Sequence, residues 1–185
     1  IIAYILIQGI PNISPELFEW QYTSENVSIM PALITTLFTI VLTLLITLPV
    51  GIFTAVYLSN YAKNKHFIKA VRFSTEILSS IPSIVYGLFG YLFFVASVNN
   101  GLGMGYSLIA GCLTIAIMIL PTIIRTTEEA INTVNPLQAH ASLALGATKI
   151  QTIFKVVIPE AMDGILGGIF LATGRIVGES AALIY

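Results

Sequence analysis

Two stretches of this chain, residues 26–62 and 77–124, contain no Asp, Glu, Lys or Arg. Uncharged runs of that length are hard to solvate but suit hydrocarbon, where a spanning helix needs about 20 apolar residues. The whole chain points the same way. Only 9% of its 185 residues are charged, against roughly 25% in an ordinary soluble domain. Eight Lys and Arg nearly balance nine Asp and Glu. A soluble enzyme, a disordered tail and a basic nucleic-acid binder are all excluded on these grounds. The single cysteine, Cys112, rules out an internal disulfide framework. No Walker-type phosphate loop is present, so the chain is not its own ATPase.

The first uncharged run accommodates one helix, 32–58. The second is too long for one span. It breaks at Asn99-Asn100-Gly101-Leu102-Gly103-Met104-Gly105, a cluster of turn formers, into helices 77–98 and 106–124. A further apolar stretch covers 161–185, and 1–10 reads as the end of a helix stopped by Pro11. The chain opens on Ile1 rather than Met, so it reads as a fragment with a partial first helix; no basic start marks a signal peptide. Barrel strands would be about ten residues of alternating polarity, and these runs are longer and apolar on both parities. The expected fold class is therefore an all-α polytopic membrane helix bundle. Pro49, Pro82 and Pro121 predict kinks within it.

Cations set the expected orientation. Lys63, Lys65, Lys69 and Arg72 crowd one loop, and Arg125, Lys149 and Lys155 lie in another. The segment 11–31 has Glu16, Glu19 and Glu25 but neither Lys nor Arg. Loops 60–76 and 125–160 are thus expected on the cytoplasmic side. Tyr57, Tyr61, Tyr91 and Tyr106 read as interface anchors.

Residues 125–160 are long for a connection between helices. Thr126-Thr127-Glu128-Glu129 has the chemistry of a helix start. Asn135-Pro136 opens a second short helix, Gly146 is a suitable stop, and Thr148 can cap a third that continues through Pro159 into the membrane. Such a projecting helix either packs locally or docks into a groove on a soluble partner.

Within it, His140-Ala141-Ser142-Leu143-Ala144-Leu145-Gly146, nine further residues, then Val156-Val157-Ile158-Pro159 resembles the EAA loop of the type I ABC importer permeases. His140 stands where the family has Glu, and Ser142 where it has the second Ala. The resemblance runs along the whole chain. Pro49-Val50-Gly51-Ile52-Phe53-Thr54-Ala55, Ile81-Pro82-Ser83-Ile84-Val85-Tyr86-Gly87, Arg125-Thr126-Thr127-Glu128-Glu129-Ala130 and Gly174-Arg175-Ile176-Val177-Gly178-Glu179-Ser180-Ala181 are similar to blocks of PstA-type permeases of phosphate importers. The resemblance implies a sixth helix absent from this sequence. It also implies a heterodimer with a second permease subunit in a prokaryotic cell membrane, an ATPase subunit dimer that holds ATP and Mg, and an extracytoplasmic phosphate-binding receptor. The chain itself would carry no cofactor and no catalytic residue. It further implies that Leu137, Ala139, His140, Ala141, Ser142, Leu145, Gly146 and Ala147 form the contact with the ATPase.

Arg175 and Glu179 are the only charges in the last apolar stretch beyond its first turn. Intramembrane charge costs about 2.5–3.5 kcal/mol and marks function by default. Arg175 is about 24 Å beyond Pro159 at 1.5 Å per residue, and Glu179, four residues on, would share its face. The pair either neutralises itself or lines a pathway in which Arg175 attracts an oxyanion and Glu179 steadies the guanidinium. A proton-coupled carrier working without an ATPase could use the same pair, and another oxyanion or a phosphonate could replace phosphate. Gly164, Gly167, Gly168, Gly174 and Gly178 read as packing surfaces, some of them available to a partner permease. Arg125, at a cytoplasmic helix end, is expected to snorkel, either anchoring at the interface or pairing with Glu128 or Glu129. No His, Cys or carboxylate set has metal spacing.

Overall fold

The computed structural model describes residues 2–10, 15–20, 28–96 and 101–184. Among these residues every regular element is helical, so the fold class is all-α. The chain divides into two compact units, Ile1–Phe38 and Thr39–Tyr185.

The first unit contains α1 (Ile2–Gly9) and a 3₁₀ turn (Pro15–Phe18). Ser28 ties that turn to the start of the next helix. Its Oγ donates to the carbonyls of Leu17 and Glu19 and accepts from the Met30 amide at 3.2 Å. That amide belongs to the first turn of α2 (Met30–Asn60), so Ser28 satisfies one of the donors a helix start leaves free.

α2 begins in the first unit and continues into the second, which holds the remaining elements. α2 and α5 (Leu108–Thr133) are each long and apolar enough to cross a membrane, and each carries an internal proline, Pro49 and Pro121. Between them lie α3 (Lys65–Ser80) and α4 (Ser83–Gly90), the latter continued by a π turn over Tyr91–Val95. The apolar run 77–98 is therefore not one helix: residues 77–80 close α3. Pro82 disfavours helical backbone at Ile81, which sits at φ −72°, ψ 131°. α3 and α4 with its π turn are bent by 96° at this break, far beyond a kink.

After α5 come α6 (Pro136–Ala144), α7 (Lys149–Thr152), a π turn (Ile153–Val157), α8 (Ile158–Glu160) and α9 (Met162–Gly178). The third short helix does not run straight into the membrane. The chain bends by 64° between Glu160 and Met162. Nor do Thr126 and Thr127 start a helix. They lie inside α5, where Thr126 Oγ1 donates back to the Thr122 carbonyl at 2.9 Å. α5 continues to Thr133 because nothing interrupts it before Asn135-Pro136.

α5 is the axis of the second unit. Ile115, Met118, Ile119 and Ile123 are almost wholly buried, packed with Tyr86, Ala172, Ile176 and Ala182. A second cluster joins Val56, Ala130, Ile131, Ile153, Val157 and Ile165. Small residues let neighbouring helices close on α5. A Cβ on Gly164 would lie 2.6 Å from Ala130 Cβ, and one on Gly168 would lie 2.8 Å from Thr126 Cβ. The two contacts are one helical turn apart on both helices, so α9 runs antiparallel along α5. These glycines thus serve packing within the chain, whereas a Cβ at Gly167, Gly174 or Gly178 meets nothing within 4 Å. Gly164→Val is expected to cost about 1–3 kcal/mol in denaturant unfolding in micelles, because its nearest neighbour is a short alanine stub that cannot swing away. Gly167→Ala in the same helix should leave stability unchanged or slightly raised.

Candidate functional site

The short helix α6 is built by local chemistry. Asn135 Oδ1 accepts from the Leu137 amide at 3.0 Å, and Pro136 occupies the first turn, where a missing N–H costs nothing. The other end closes in a Schellman motif. The Ala147 amide donates to Ser142 O at 3.2 Å and the Gly146 amide to Leu143 O at 3.0 Å, with Gly146 at φ +87°. Thr148 and Gln151 then form a reciprocal capping box that starts α7.

Two side-chain contacts brace α6 from behind. Ser142 Oγ and Thr152 Oγ1 share a hydrogen bond of 3.0 Å, and Gln138 Nε2 donates to Glu160 Oε1 at 3.2 Å. Ala139 packs on the second core cluster, and Ala147 is half-buried. The rest of the segment faces out: Leu137, His140, Ala141, Leu145 and Gly146 are exposed, Leu145 to 90%. A rigidly capped helix thus presents leucines to its surroundings, as an anchor for a groove would. Ser142, an Ala in the family pattern, has a structural partner; His140 is exposed, and nothing in the structure explains its replacement of Glu.

The segment is also tied to α2. Lys149 Nζ donates to the Asn60 carbonyl at the C-terminus of α2 and lies 4.5 Å from the centre of the Tyr61 ring. A cation suits both the carbonyl end of a helix and an aromatic face. In the sequence Tyr61 reads as an interface anchor and Lys149 as a topological charge. Their meeting has no local signal, since it joins residues far apart in the chain.

Residues of α2, α3, α5 and α9 line a cleft of about 720 Å³. Arg72 and Arg125 line it, with hydroxyls from Thr75, Ser79, Thr122 and Thr126. Glu76, Glu128 and Glu129 supply carboxylates. Arg125 Nε meets Glu129 Oε1 at 3.1 Å within one helix, both side chains well exposed. Glu128, by contrast, is taken by Arg72, whose Nε donates to its Oε1 at 2.9 Å and whose Nη2 reaches the same oxygen. The Glu128 side chain is only 10% exposed. The sequence pattern assigns Arg72 to orientation alone and carries no sign of this pair, which spans separate helices.

Removing one partner of a buried charge strands the other. Arg72→Met is therefore expected to destabilise by about 1–3 kcal/mol in micelle unfolding, whereas Arg125→Met should change stability by less than about 1 kcal/mol. Equal effects would place the two pairs in equivalent environments and contradict the structure.

Arg175 and Glu179 do not sit as a pair on one helix face. α9 ends at Gly178, and Glu179 turns extended at φ −83°, ψ 113°. Its Oε1 accepts from the Ala182 amide at 3.1 Å and so starts the 3₁₀ turn Ala181–Leu183. That turn seats Ala182 against Gly87, where a Cβ would approach the Ala182 carbonyl to 2.8 Å. The carboxylate caps this turn, and no ion pair joins it to Arg175. Among the described residues the ion pairs are those of Arg72 and Arg125. Arg175 is half-buried. Leu171, one turn earlier on α9, lines the cleft, so Arg175 stands just beyond it. The 64° bend also means that the distance from Pro159 is not measured along one axis.

Residues 47–185 match the family described as "Binding-protein-dependent transport system inner membrane component", and the chain belongs to that family. It is 43% identical over 129 residues to the probable ABC transporter permease protein YqgI of Bacillus subtilis (strain 168), covering 70% of this chain and 42% of that protein. It is 33% identical over 187 residues to the phosphate transport system permease protein PstA of Haemophilus influenzae (strain ATCC 51907 / DSM 11121 / KW20 / Rd), covering all of this chain and 64% of the relative. The chain thus spans less than two thirds of these relatives. The crystal structure of an amino acid ABC transporter with histidines shares the fold, with a TM-score of 0.63 and 23% identity over 97% of this chain and 74% of that one.

Proposed function

We propose that the chain is the transmembrane permease subunit of an ATP-driven importer of inorganic phosphate. The observation that carries this reading is α6. Rigidly capped, braced by Ser142 and Gln138, and exposing Leu137 and Leu145, it is a stub made to be gripped from outside the bilayer. The similarity to PstA supports phosphate as the cargo.

In this reading the chain does no chemistry. A separate ATPase dimer holds ATP and Mg, and its closure moves α6. The motion passes through Lys149 to the end of α2 and through the π turn Ile153–Val157 to α9. A second permease subunit completes the pathway, and an extracytoplasmic phosphate receptor loads it. Arg175 offers the passing anion a guanidinium, whose planar fork suits phosphate oxygens. Without Glu179 beside it, that guanidinium is more available than a neutralised pair would be. The neighbouring cleft is polar and holds three carboxylates against two guanidinium groups, which would pass an anion on rather than hold it.

Phosphate uptake into proteoliposomes holding the assembled complex should require ATP and stop with vanadate. Uptake that ran at full rate without the ATPase subunit would replace this reading with that of a secondary carrier. Uptake of a phosphonate in preference to phosphate would change the cargo alone.

A further inference from the structure

The helix α3 has a basic stripe whose two lysines neither packing nor the transport path explains. Lys65, Lys69 and Arg72 are spaced i, i+4, i+7 and so share one face. Lys65 and Lys69 are exposed and make no hydrogen bond or ion pair among the described residues. With Ile68, Phe73 and Glu76, the three cations line a shallow cleft of about 400 Å³. Arg72 is engaged by Glu128, and Glu76 sets one negative charge against the lysines, so the cleft keeps an excess of positive charge.

Beside the cations, Phe73 is 62% exposed and Ile77 48% exposed. The opposite side of the helix, with half-buried Val71 and Leu78, turns inward. α3 also lies at nearly a right angle to α4 and its π turn, which together carry no charged residue. A helix perpendicular to an apolar neighbour, with apolar and basic faces side by side, has the build of one lying in the membrane interface.

We propose that the Lys65–Lys69–Arg72 cleft binds the phosphate group of an anionic phospholipid, with Phe73 and Ile77 against its acyl chains. A free anion would have no use for the exposed phenylalanine. Held only by two solvated lysines, it would also be heavily screened. A lipid supplies both the charge and the apolar surface. The cation excess of this segment places it on the cytoplasmic side, where anionic lipids draw basic residues.

The test uses the purified full-length protein in vesicles of phosphatidylcholine with spin-labelled phosphatidylglycerol or spin-labelled phosphatidylcholine as probe. The fraction of each probe immobilised on the protein is measured by electron spin resonance. Wild type should prefer phosphatidylglycerol. K65Q/K69Q should lower the affinity of the selective site about 25-fold, roughly fivefold per lysine, and K65R/K69R should retain it. If the double variant fails to fold by circular dichroism, Lys69→Gln alone is read against the fivefold loss. Unchanged selectivity in the folded glutamine variant would overturn the proposal. So would loss of selectivity in wild type on adding millimolar inorganic phosphate but not chloride at equal ionic strength, which would assign the cleft to the free anion.

Discussion

Arg175→Ala is expected to lower phosphate uptake by about 10- to 100-fold while the complex still assembles. The magnitude is that of losing charge-assisted hydrogen bonds to a passing anion. Assembly should survive because Arg175 is half-buried and takes part in neither ion pair of the described residues. Arg175→Lys should restore part of the rate, since it keeps the charge but not the fork. Glu179 separates two accounts of this region. If its task is to hold the Ala182 amide, Glu179→Gln keeps an acceptor oxygen and should transport nearly normally, whereas Glu179→Ala should loosen the turn on Gly87. A pathway charge would make the two variants equally defective. Normal uptake by Arg175→Ala would remove the arginine from the pathway altogether.

Gly146→Val should have an effect of comparable size by a different route. Gly146 closes α6 at φ +87°, a conformation that strains a β-branched residue. The cost is about 1–2 kcal/mol at that residue, and the Schellman bonds to Ser142 and Leu143 would distort with it. Leu145, the most exposed leucine of the segment, would then lose its fixed position. The ATPase subunit should co-purify poorly, and uptake should fall with it. Arg175→Ala should leave co-purification intact, so the two variants separate gripping from passage. If Gly146→Val retained both ATPase binding and stimulated hydrolysis, α6 would not be the docking element.

The most legible elements are those written in consecutive residues. The uncharged runs reveal α2 and the apolar half of α5, because the cost of burying charge in lipid acts on every residue of a span. Asn135-Pro136, Gly146 and Thr148 mark the ends of α6 and the start of α7, because caps act across three or four residues. Pro82 announces a distortion but not its size. Ile81 could have bent the chain slightly or turned it by 96°, depending on what α3 and α4 found to pack against.

Every meeting of distant residues stays hidden at that level. Nothing near Arg72 names Glu128, and nothing near Lys149 names the end of α2. The expected pair of Arg175 and Glu179 fails for a local reason with a tertiary cause. A four-residue spacing puts two side chains on one face only while the helix lasts, and α9 stops where Ala182 can seat on Gly87. Likewise the glycines of α9 look alike in the sequence, yet Gly164 and Gly168 meet α5 while Gly174 and Gly178 meet nothing among the described residues. Hydrophobicity and capping are properties of a short stretch and can be read from it. Partners across helices depend on which faces close on α5, and that is decided only when the bundle packs.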